Sequence, residues 1–175
     1  MRTERSVPTE RLFLALTLPP PVREALAGLA QPMPGVTWTR PEQLHVTLRF
    51  LGDVPSDQIE HVMVRLAEIK VASFILPVEG LGTFPPKHPP RIAWAGVGSG
   101  HPRLFQLRQR VDDALLATGL PIDVRMFHPH VTLARCTEDA GVPLAQWLRA
   151  HREFLAPPFR PLAFARKPLE SGCHG

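Results

Sequence analysis

His45-Val46-Thr47-Leu48 and His130-Val131-Thr132-Leu133 are the same four residues in the same order, and each copy is followed closely by an arginine, Arg49 in the first and Arg135 in the second. Given one copy, composition alone would yield an accidental second about 0.005 times. In a strand, side chains alternate between faces, so residues i and i+2 project together. His and Thr of each motif therefore share one face, while Val and Leu turn to the other and into a core. Two such strands, from two half-domains related by a pseudo-two-fold, would bring two imidazoles and two hydroxyls into one cleft.

The flanking sequence supplies both the strands and their supports. Arg11–Leu18 reads as a buried strand ended by Pro19-Pro20-Pro21, and Val22–Ala30 as a helix. Residues 36–39 and 45–50 read as strands, with Gly52-Asp53 turning the chain. Ser56 or Asp57 then caps a helix bearing Ile59, Val62, Met63, Leu66 and Ile69. A strand is expected over 73–80, an exposed proline-rich loop over 83–90 and a strand over 91–97. Pro102–Ala117 carries the stripe Leu104, Leu107, Val111 and Leu115, with Gly119 as terminator. Strands over 127–133 and 158–165 flank a short helix over 144–150. Residues 1–10 read as a loose terminus. Strands and helices interleave without a clean βαβα series, and no glycine fingerprint follows the first strand. The fold class is α+β: two antiparallel lobes, one motif in each, within a single domain of 175 residues.

Composition narrows the function. The apolar fraction of 44% suits a globular protein, and no apolar run reaches the ~18–20 residues that span a bilayer. No secretory leader fits, so a cytoplasmic protein is expected. Cys136 and Cys173 make neither a disulfide framework nor a structural zinc set. A net charge of +4 favours an anionic, phosphate-bearing ligand. His128-x-His130 could begin a metal site, yet no carboxylate or cysteine sits at matching spacing, so no metal and no cofactor are expected. His61, His88, His101, His151 and His174 read as surface residues, and Trp38, Trp94 and Phe127 as core.

A paired imidazole suits the opening of a cyclic phosphodiester. One neutral ring takes a proton from water and one imidazolium protonates the leaving oxygen. An ordinary histidine holds either state near neutrality. Threonine hydroxyls and an arginine steady the non-bridging oxygens as charge builds.

With those residues in view, the chain resembles the 2H phosphoesterase superfamily, specifically the RNA 2′,3′-cyclic phosphodiesterases also called 2′-5′ RNA ligases. The resemblance rests on Arg11-Leu-Phe-Leu-Ala-Leu16, Pro41–Gly52, Pro90–Val97 and His128–Arg135. It implies a two-lobed α+β fold with a V-shaped central cleft, helices outside, and hydrolysis of RNA 2′,3′-cyclic phosphate ends to 2′-phosphates without metal. Carried over, His45 is the proton donor and His130 the proton acceptor. Thr47, Thr132 and Arg135 bind the substrate phosphate. Two further candidates stand outside that carry-over: His128, in a place where the family commonly has arginine, and Arg49, which period two puts on the face of His45. Weak 2′-5′ ligation would be the same chemistry with a 5′-hydroxyl replacing water. The expected partner is RNA bearing a cyclic phosphate terminus, with no membrane and a monomeric protein. A phosphodiesterase for small cyclic nucleotides and a non-catalytic RNA-end binder are the alternatives. The chain departs from the family at His128, where arginine is common, and in its tail. There it has no tyrosine and ends at residues 170–175, leaving the family's final strand open.

Overall fold

The computed structural model describes residues 7–86, 89–122, 125–161 and, as backbone, 164–168. His88, Cys173, His174 and the tail 170–175 lie outside the described residues. The chain runs β1 (Thr9–Thr17), α1 (Pro20–Ala27), β2 (Val36–Trp38), β3 (His45–Pro55), α2 (Ile59–Ala67), β4 (Leu76–Phe84), β5 (Ile92–Val97), α3 (Pro102–Ala117), β6 (His130–Cys136), α4 (Gly141–Ala150), β7 (Leu155–Phe159) and β8 (Phe164–Pro168). The α+β class holds.

All described strands belong to one sheet in the order β7-β4-β5-β6-β3-β1-β8, with β2 also on β6 and every described pairing antiparallel. The centre of that order decides the shape. β3 and β6 meet only at Val46 opposite Val131. Beyond that point β2 takes over the edge of β6, pairing Trp38 with Ala134 and Val36 with Cys136. Two arms of sheet are thus joined through one residue pair.

Burial explains which face is which. Val46, Leu48, Val131 and Leu133 are all buried, with Leu12, Leu14 and Leu16 of β1 beside them. The α3 stripe Leu104, Leu107, Val111 and Leu115 is buried, as the helical spacing requires. α2 buries Ile59, Val62 and Leu66 and packs on α3, whereas α1 crosses to β7.

Several boundaries move, each for a local reason. The terminus is tied down from Thr9, since Thr9 and Glu10 pair with Pro55 and Val54. Gly52-Asp53 does not turn the chain. Gly52 takes φ +71 at a register shift, and β3 continues to Pro55. A glycine there absorbs a bulge at little steric cost. Neither Ser56 nor Asp57 caps α2; Gln58 holds that place without a side-chain bond. β4 begins at Leu76 and runs into the proline-rich stretch as far as Phe84. β6 begins at His130, because Pro129 has no N–H for the ladder. α4 starts earlier than 144, at Gly141. The single strand expected over 158–165 is two, β7 on β4 and β8 on β1.

Candidate active site

Each motif opens its strand, and the residues just before it set the histidine. Pro41–Gln43 forms a short 3-10 turn ahead of β3, and His45 Nδ1 lies 2.5 Å from the Gln43 carbonyl oxygen. Ahead of β6, His130 Nδ1 lies 2.7 Å from the His128 carbonyl oxygen. In both copies the partner is the carbonyl two residues upstream. A carbonyl only accepts, so Nδ1 carries the proton and donates it, and Nε2 is left as the working nitrogen. Each ring also rests on a phenylalanine: Phe13 with His45 at 4.9 Å, and Phe84 edge-on to His130 at 5.2 Å between centroids.

The Val46–Val131 pair fixes how the motifs face each other. Both valines are 0% exposed and point into the core. Their neighbours His45, Thr47, His130 and Thr132 therefore project from the opposite face of the sheet. Antiparallel register sets His45 beside Thr132 and Thr47 beside His130.

Both motifs carry a bulge at the same place. Leu14 pairs Arg49 and Ala15 pairs Thr47, so Leu48 is the extra residue; Ala93 pairs Ala134 and Trp94 pairs Thr132, so Leu133 is its counterpart. The added residue reverses the alternation. The fifth residue after each histidine rejoins the histidine's face, and the fourth turns to the core. Arg135 is thus exposed on the face of His130 and Thr132, with Phe50 in the equivalent place beside His45. Arg49 goes the other way. Simple period two puts it with His45, but it is 5% exposed and bound to Asp112 of α3 at 2.6 Å.

His128 completes the second half of the site. It is exposed, 4.8 Å from the Trp94 ring, 5.2 Å from Phe84 and 6.0 Å from His130. The indole of Trp94 lies across Gly82, where a Cβ would come within 2.3 Å of it. Trp94 is therefore a wall of the site, whereas Trp38 and Phe127 pack against the core as their flanking sequence suggests. Burial holds the His130 pKa below the ordinary 6.5; its bond to the His128 carbonyl opposes that, and the His128 charge adds to it. His130 is thus poised neutral at neutral pH. Burial also pushes the Cys136 thiol up, away from thiolate. Among the described residues no three His, Cys, Asp or Glu side chains converge as metal donors.

Residues 16–94 and 97–166 match the family described as LigT-like phosphoesterase, which spans most of the chain. The chain belongs to that family. An Aeropyrum pernix protein named RNA 2′,3′-cyclic phosphodiesterase is 37% identical over 122 residues, covering 70% of this chain and 68% of that protein. A Geobacillus stearothermophilus protein of the same name is also 37% identical, over 70% of this chain but 41% of its own length. A crystal structure from Thermus thermophilus aligns with TM-score 0.71 at 28% identity, over 89% of this chain and 86% of that one. Escherichia coli LigT complexed with 3′-AMP aligns with TM-score 0.69 at 22% identity, over 95% and 90%, a likeness of fold.

As a LigT-like phosphoesterase, the chain presents an imidazole held toward its neutral form, a second imidazole fixed in the same tautomer, two hydroxyls and a guanidinium on one sheet face. Sequence spacing found the histidines and threonines. It missed Phe13 and Phe84, which support the two rings. Phe84 stands among prolines in a stretch without apolar rhythm, and a lone aromatic there was the available signal.

Proposed function

We propose that the protein hydrolyses RNA 2′,3′-cyclic phosphate ends to 2′-phosphates by acid–base catalysis between His130 and His45. The observation that carries this reading is the matched placement of the two histidines. Each opens a strand on the same sheet face, and each is bound through Nδ1 to the carbonyl two residues before it. Names of relatives, such as that of the Aeropyrum pernix protein, supply the substrate class.

The reaction balances with these groups alone. Water attacks phosphorus as its proton passes to Nε2 of neutral His130. The bond from phosphorus to the ribose 3′-oxygen breaks, and Nε2–H of the His45 imidazolium protonates that oxygen. The 2′-ester remains. The lowered pKa of His130 favours it as the base, which agrees with the family roles. Thr47, Thr132 and Arg135 hold the non-bridging oxygens as negative charge grows. A pseudo-two-fold through the Val46–Val131 pair would exchange the two motifs, and a cleft between the arms would admit the RNA end. The same step run with a 5′-hydroxyl in place of water would form a 2′-5′ linkage.

The product tests this reading. Phosphorus NMR of an oligonucleotide ending in a 2′,3′-cyclic phosphate, incubated with EDTA, is expected to show that signal replaced by a 2′-monophosphate. A 3′-monophosphate, no turnover, or turnover only on adding metal would overturn it.

A further inference from the structure

On the far side of the sheet one charged cluster binds three parts of the chain. Arg49, two residues past Thr47, sends a two-pronged fork to Asp112 of α3: Nε to Oδ1 at 2.7 Å and Nη2 to Oδ2 at 2.6 Å. The same carboxylate takes Nε of Arg108, a turn earlier on α3, at 3.2 and 3.3 Å. The Arg108 guanidinium lies 4.8 Å from the centre of the Phe127 ring, and Phe105 of α3 meets that ring edge-on at 5.4 Å. Phe127 stands three residues before His130. One helix therefore grips the strand of the first motif through an ion pair and the approach to the second through a ring.

The join between those strands gives this grip its significance. A ladder of one residue pair constrains the angle between β3 and β6 less than a longer ladder would. The shared core and a brace from behind supplement it. Apolar contact would hold α3 to the sheet as well, and taking two guanidinium groups and a carboxylate out of water is costly. What the ion pair adds is direction, since a forked arginine–carboxylate contact has one favoured geometry.

We propose that Arg49, Asp112 and Arg108 are positioning residues that set the spacing of the two histidines for the phosphodiesterase reaction. The inference rests on the activity argued above, so wild type is assayed beside the variants. Asp112→Asn keeps shape and loses charge; Arg49→Lys keeps charge and loses the fork. Each is measured at a temperature where circular dichroism shows it fully folded. The expected result is a fall in kcat of about ten-fold per folded molecule with KM within about two-fold, since small misplacements of reacting groups are costly. Where either variant fails to fold, Arg108→Gln, which disturbs the leg to Phe127, carries the same expectation. Folded variants with kcat within about two-fold of wild type would show a brace for stability only and overturn the proposal. An inactive wild type would instead sink the phosphodiesterase reading.

Discussion

His130 is half-buried with a second imidazole nearby, and both facts push it toward the neutral form. The acidic limb of kcat/KM should therefore fall below pH 6.5. Exchanging His128 for glutamine removes the neighbouring charge, leaves the backbone carbonyl in place, and should move that limb to higher pH. A limb that stays put would show that His128 does not influence the base. The same group affects stability. The folded chain binds a proton at His130 less readily than the unfolded chain, so stability present above about pH 6.5 is lost as pH falls through the lowered folded-state value. Thermal melts from pH 7.5 to 5.5 should show a smaller loss for His130→Ala than for wild type. Equal losses would contradict the shift.

At the scale of the element, the twin bulges at Leu48 and Leu133 decide which side chains line the site. They bring Arg135 and Phe50 to the histidine face. Phe50 is 48% exposed, and its ring lies 5.9 Å from that of Phe13. An exposed aromatic in line with the site can stack a base beyond the reacting nucleotide. Phe50→Ala should lower kcat/KM several-fold on an oligonucleotide and leave a cyclic mononucleotide unaffected, with the melting temperature little changed. Equal losses on both would favour small cyclic nucleotides as substrates.

The elements also show what could be seen in advance. The alternation of Leu12, Leu14 and Leu16 and the four-residue stripe of α3 depend on local spacing, so they were legible. His45, Thr47, His130 and Thr132 were legible because their motif repeats and alternates within four residues. The bulges were not, because the extra residue is defined only against a partner strand. Arg49 was misplaced for that reason. Its partner Asp112 comes from a helix distant in the chain, and nothing local marks the pair. Gly52 read as a turn because glycine serves turns and bulges equally well.

For the molecule as a whole, two arms meet at one residue pair, and the helices lie on the core face. No described helix is long and apolar enough to cross a membrane. A net charge of +4 should make binding of an RNA end sensitive to salt, with kcat/KM falling as ionic strength rises from 50 to 300 mM. A flat profile would remove long-range attraction from the account. The central claim is that two imidazoles, far apart in the chain, serve one phosphorus as a unit. Single-turnover rates of His45→Ala, His130→Ala and the double variant test it most directly. Each single change should slow cleavage by about 10²–10⁴-fold with little change in melting temperature, and the double should be scarcely slower than the worse single. Losses that multiply, or either single variant within a few-fold of wild type, would contradict it.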